Sequence, residues 1–132
     1  MIFVFGSNTG GIHGSGAARL AYKHRGARLG VGWGLSGQSY AIPTKGIIKQ
    51  GGKTYVGETL HLNVIKRYVH DFLMYAKVRP DIQFQVTRLG CGLAGLRDDE
   101  IATMFIGGQS NLFYDDMWKD YLTDDSQFWG TF

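Results

Sequence analysis

The stretch IFVFGSNTGGIHGSGAARLAYKH, residues 2–24, decides the fold. Its first part, Ile2 to Phe5, is a continuous apolar run of the kind a buried strand shows, and Gly6-Ser7-Asn8 stops it in a turn. A glycine-rich loop follows, from Thr9 to Gly16. From Ala17 to His24 the apolar period changes, because Ala17, Ala18, Ala21 and Tyr22 fall on one face of a helix. Such a loop brings backbone N–H groups close to an anion, and the dipole of the helix behind it favours phosphate. The plainer alternative is a tight connection whose glycines only supply positive φ.

Outward from this unit, the same alternation recurs. Gly26 to Gly37 is irregular backbone with five glycines and Trp33, then Ser39 to Ile42 reads as a strand ended by Pro43. Lys45 to Gly57 fits a small hairpin around Gly51-Gly52. Leu62 to Lys77 carries Ile65, Tyr68, Val69, Phe72, Leu73 and Ala76 at spacings of three and four, and Pro80 stops this helix. Phe84 to Leu89 suits a strand, and Asp98 reads as the N-cap of a short helix through Ile101, Met104 and Phe105, ended by Gly107-Gly108. Leu112 to Tyr114 reads as a last strand. Strands alternating with helices predict an α/β layer architecture.

The chain's 132 residues fit one domain, and its 44% hydrophobic content can fill one core. The longest apolar runs, Met1–Phe5 and Phe72–Ala76, are far short of the roughly 20 residues that span a bilayer, so no membrane partner is expected. With no secretory signal and a lone cysteine, Cys91, the expected setting is cytoplasmic, without a disulfide framework or a multi-cysteine zinc site. Histidines 13, 24, 61 and 70 lack metal-ligand spacing, so no metal and no separate cofactor is expected. Residues 1–114 carry 13 basic and 6 acidic side chains, whereas 115–132 carry 1 and 5. A basic body suits an anionic ligand or a nucleic-acid partner, and the plainer reading of such a charge excess is a solvated face. The acidic tail, with Trp118, Tyr121, Phe128 and Trp129, suits capping of the core or docking on a partner. Oligomeric state is not legible.

A second glycine loop, Gly90-Cys91-Gly92-Leu93-Ala94-Gly95, lies between the Phe84–Leu89 strand and the Asp98 helix. Two such loops in one small domain suggest a diphosphate or a dinucleotide. This loop also matches G-x-G-x-x-G, with Asp115 twenty residues beyond Gly95, so a minimal NAD-type dinucleotide-binding domain is a rival reading. Against it, no second half remains for a nicotinamide. Gly32–Gly37 matches the same pattern but precedes a strand. Cys91 precedes a helix, which invites a nucleophile reading, but no cysteine-protease pattern of histidines accompanies it, and a small thiol packs well between two glycines.

Thr44-Lys45 after Tyr40-Ala41-Ile42, the loop His13-Gly14-Ser15-Gly16-Ala17-Ala18, and Arg88-Leu89-Gly90-Cys91-Gly92-Leu93 occur in an order that resembles the macrodomain superfamily. The similarity is to the branch that holds terminal ADP-ribose protein glycohydrolase and the antitoxin macrodomain reversing DNA ADP-ribosylation, and it covers roughly Ile2 to Phe105. The resemblance implies a three-layer α/β/α domain with a mixed central sheet. It implies that Gly6, Ser7, Asn8, Gly14, Ser15, Gly16, Thr44 and the loop from Gly90 to Gly95 wrap ADP-ribose, free or attached to a macromolecule. It implies Lys45 as the reactive residue, acting as the neutral amine. His13 is then a candidate proton carrier, and an ordinary polar loop histidine is the other reading. One related branch has aspartate where this chain has Ala94, which removes the obvious acid-base partner. Non-catalytic binding, as a reader or sponge of an ADP-ribose-derived signal, is therefore the alternative to hydrolysis.

Overall fold

The computed structural model describes residues 1–132. β1 (Ile2–Asn8) leads into α1 (Gly16–His24), then β2 (Gly34–Ser36), β3 (Ser39–Gln50) and β4 (Lys53–Thr59) precede α2 (Leu62–Val78). β5 (Phe84–Val86), α3 (Asp98–Ala102), a 3₁₀ turn (Thr103–Phe105), β6 (Leu112–Asp115), a second 3₁₀ segment (Asp116–Tyr121) and β7 (Gln127–Gly130) complete the chain. The seven strands form one mixed sheet. Its order is β2-β3-β1-β5-β6-β7, and β4 pairs with the far part of β3. Strands β3, β1, β5, β6 and β7 run parallel, while β2 and β4 are antiparallel to β3.

Alternation along β1 creates the three layers. Phe3 and Phe5 face one side, where Ala18 and Ala21 of α1 pack against them with Ala27 and Ala41. Small alanines let the helix lie close to the two rings. Val4 faces the other side, joining Ile42, Phe84 and Val86 under Ile65, Val69, Phe72 and Ala76 of α2 and under α3. Burial of each large apolar side chain there contributes about 1.5–3 kcal/mol. The chain is thus a mixed α/β protein with helices on both faces of the sheet, and no helix is long and apolar enough to cross a membrane.

Several boundaries differ from the sequence reading. Gly6-Ser7-Asn8 continues β1 rather than turning, since Gly6, Ser7 and Asn8 pair with Ile42, Pro43 and Lys45. Pro43 does not end β3. It falls between the residues paired with β2, which end at Ala41, and those paired with β4, which begin at Lys45. A missing N–H removes no ladder bond on that edge. The hairpin around Gly51-Gly52 forms, with Gln50 opposite Lys53 and both glycines at positive φ. β5 stops at Val86. Asp98 is not the N-cap of α3: Arg97 stands there, its backbone N–H donating to Glu100 Oε1 at 3.1 Å. The acidic tail caps the core, with Trp118 fully buried and β7 paired to β6.

Candidate functional site

After β1 the chain crosses to α1 on one face, and after β5 it crosses to α3 on the other. The carboxyl ends of these neighbouring strands therefore open a crevice where the direction of winding reverses, the usual ligand position in open α/β sheets. A cleft of about 350 Å³ lies there, within the size range of small-molecule sites. Lys45 of β3 lines one end, and Asp115 at the last position of β6, with Thr131 and Phe132 just beyond β7, lines the other. Counting from β3 to β6 at about 4.8 Å per strand, the cleft crosses roughly 14 Å of sheet.

The first loop is held by Asn8. Its Oδ1 accepts the Ile12 N–H at 2.9 Å and its Nδ2 donates to Ile12 O at 2.7 Å, closing the turn. Gly14, Ser15 and Gly16 then line the cleft. α1 begins with no acidic residue in its first turn and no side-chain cap on its N–H groups, so its positive dipole end is uncompensated.

The second loop lies beside the first strand. A Cβ at Gly6 would stand 3.2 Å from Gly90 N. Gly90 itself has φ +77°, and its carbonyl accepts Leu96 N–H at 2.9 Å. Thr59 Oγ1 of β4 donates to Ala94 O at 2.7 Å, fixing the loop's outer side. The N–H groups of Gly14, Ser15, Gly92, Leu93 and Ala94 make no hydrogen bond within the chain, and all five residues line the cleft.

Lys45 sits where two ladders lose their regular register, between Ser7 and Asn8 on one side and between Lys45 and Ile47 on the other. Such irregularities re-aim side chains at strand ends. Lys45 makes no ion pair with a carboxylate. Arg88, unassigned in the sequence reading, lines the cleft as well; its Nε and Nη2 donate to Asp98 Oδ1 and Oδ2 at 2.8 and 2.6 Å. These hydrogen bonds hold the Asp98 carboxyl below its ordinary value and raise Arg88 above its own.

The cleft thus brings together Gly6, Ser7, Asn8, Gly14, Ser15, Gly16, Thr44, Lys45 and the run Gly90–Ala94. His13 and Gly95 are not brought there. His13 is 97% buried behind the loop, edge-on to Phe5 at 5.3 Å with Nε2 3.0 Å from Arg28 O. Burial lowers its pKa below 6.5, and the residue clamps the first loop to the 25–33 segment. Asp98 holds Arg88 and Trp118 instead of capping α3. Burial pushes the Cys91 thiol up to about 12, with Asp98 adding to the shift, the opposite of an activated nucleophile.

The dinucleotide fingerprint finds little geometric support. α3 has five residues and three acids, Asp98, Asp99 and Glu100, in its first turn, so no positive helix end awaits a diphosphate. Asp115 is buried, its Oδ1 accepting Met117 N–H at 2.9 Å and its Oδ2 accepting Thr131 Oγ1–H at 3.2 Å. Thr131 and Phe132 were missed as cleft residues because nothing near them in sequence signals a strand; β7 has no alternating pattern. Arg88 was within reach as a cation flanking a glycine loop.

No family model matches the chain, and no curated protein matches it. A solved protein of unknown function from Bacteroides thetaiotaomicron is similar at 15% identity and a TM-score of 0.47, over 78% of this chain and 76% of that one.

Proposed function

We propose that the cleft binds ADP-ribose in the manner of a macrodomain and that Lys45 releases it from a macromolecular target. The observation that carries this reading is the set of five unpartnered loop N–H groups beside the uncapped start of α1, at the switch point of the sheet. Backbone donors on two loops suit a diphosphate. The span of roughly 14 Å between the β3 and β6 ends leaves a sugar on each side of it. The distal ribose then lies against Lys45, and the exposed ring of Phe132, edge-on to Phe3 at 5.8 Å, offers a stacking surface to a base at the other end.

In the release step the neutral amine of Lys45 adds to the anomeric carbon of the distal ribose. The bond to the target breaks with its electron pair, and the leaving atom takes the proton that the lysine nitrogen sheds as the new C–N bond forms. Water then displaces the lysine. Ala94 supplies no acid, and His13 lies outside the cleft. These two observations favour one second reading, binding without turnover.

Calorimetric titration with ADP-ribose, against NAD and AMP, tests the first step. Saturable binding that prefers ADP-ribose supports the reading; no binding, or preference for NAD, overturns it. Release from an ADP-ribosylated protein or oligonucleotide separates the two versions. Hydrolysis predicts loss of release in Lys45→Ala with binding retained within about tenfold, the loss of a single contact to a charged group. No release by the wild-type chain leaves the binder.

A further inference from the structure

Arg88 stands near the middle of the cleft, following the end of β5, and one edge of its guanidinium is already committed. Nε and Nη2 each give a hydrogen bond to Asp98, and Asp98 Oδ1 also accepts the indole N–H of Trp118 at 2.8 Å. Trp118 is fully buried. The plane of the guanidinium is therefore set by the hydrophobic core, two contacts away. A guanidinium carries five N–H groups, and this arrangement uses two. The three that remain form a second fork, Nη1 with Nη2, which matches two oxygens of one phosphate. The side chain is 36% exposed and lines the cleft, so the free fork is accessible.

We infer that Arg88 is a phosphate-reading residue that makes the cleft select two linked phosphates over one, with Asp98 as its positioning residue. One phosphate takes the uncapped start of α1 and the first loop, where Gly16 lies beside Leu93 of the second loop; a Cβ there would be 3.7 Å from Leu93 Cδ1. The second phosphate takes the Arg88 fork with the N–H groups of the second loop. A rigid fork contributes little to a ligand that carries a single phosphate already held at α1. This inference rests on the diphosphate part of the proposed function, not on the lysine chemistry.

The readout is a ratio of affinities, which a merely structural role leaves unchanged. Calorimetry of the full chain compares ADP-ribose with AMP, and inorganic diphosphate with orthophosphate, for wild type, Arg88→Met, Arg88→Lys and Asp98→Asn. Loss of a charge-assisted fork lowers the two-phosphate preference of Arg88→Met about tenfold or more. Arg88→Lys retains a cation without a fork and falls below wild type, so the test survives if the methionine variant does not fold. Asp98→Asn lowers the ratio with Arg88 intact; an unchanged or higher ratio overturns the positioning role. If wild type binds ADP-ribose and both Arg88 variants keep its ratio, the Arg88 inference falls and the proposed function stands. If wild type binds diphosphate but not ADP-ribose and Arg88→Met weakens it, the proposed function falls and Arg88 stands. Binding of neither overturns both.

Discussion

At the first glycine loop, a helix of nine residues begins without acid or side-chain cap, and a Cβ placed on Gly14 meets nothing within 4 Å. At the second, a helix of five residues begins with three acids, and a Cβ on Gly90 meets Leu96 Cδ1 at 3.1 Å and Thr44 Cγ2 at 3.4 Å. The first loop leaves its electrostatics open to the cleft. The second satisfies much of its charge internally, through Arg88, Asp98 and the core residue Trp118. Two stretches that read alike as glycine-rich connections are therefore separate devices, a dipole-backed cradle and a wall anchored to the core. Substitutions where the wall packs on its neighbours, as at Gly90 and Trp118, are expected to cost stability, and substitutions in the open cradle binding.

The largest test of that contrast is Trp118→Ala. Removal of a fully buried indole leaves a cavity against Phe105 and Tyr114 and takes a donor from Asp98. The expected loss is about 3–5 kcal/mol in urea denaturation. A loss below about 1 kcal/mol would mean that the wall does not hang on the core. Next comes Gly90→Ala, where a φ of +77° and the close Leu96 contact predict a cost of about 1–3 kcal/mol. Its neighbour Gly92 has no positive φ and open space around it, so Gly92→Ala stays within about 0.5 kcal/mol. Equal costs for the pair would sink the geometric account of this loop.

The two loops also separate by pH. His13 clamps the first, and burial lowers its pKa below 6.5, so the unfolded chain takes up its proton first as pH falls. Stability on this account is complete above 6.5 and is lost as pH drops from 6.5 toward the lower folded value. Asp98 anchors the second, and the hydrogen bonds from Arg88 hold it below 3.8. Its contribution is complete above 3.8 and is lost as pH falls from there through the depressed value. Urea midpoints across pH 7 to 5 should therefore slope for the wild type and flatten in His13→Gln, while Asp98→Asn keeps the slope in that window. A slope indifferent to His13 removes it as the clamp.

Much of this architecture was legible because it depends on local periodicity. The apolar run of β1, the small alanine face of α1 and the three-and-four spacing from Ile65 to Ala76 each need no distant partner to be read. What failed depends on neighbours that sequence does not supply. Pro43 stops a strand only if both edges need its N–H, and here one edge changes partner at that residue. Asp98 at a helix start signals a cap, yet a cation ten positions earlier and an indole twenty positions later claim its carboxylate. The glycine and Lys45 side of the cleft was readable as motif. The Thr131 and Phe132 side was not, because it is assembled from the end of β7, which pairs with β6 through residues without alternation. Arg88 was visible beside the second loop, but its fork is set by Asp98 and Trp118, ten and thirty positions away.

The smallest expected change in stability is the most informative about the cradle. Gly14 has no positive φ, and an added methyl group meets no atom within 4 Å. Gly14→Ala should therefore shift the urea midpoint by no more than the equivalent of about 0.5 kcal/mol, as for an ordinary surface change. That same methyl group would occupy space at the cleft wall beside the start of α1. An anion drawn onto the loop N–H groups needs that space, since close backbone approach is what glycine permits. ADP-ribose affinity should fall about tenfold, the equivalent of one lost charge-assisted hydrogen bond. A variant as stable as wild type that binds ADP-ribose equally well would show that the first loop is only a connection. The anion would then belong to the second loop and Arg88 alone.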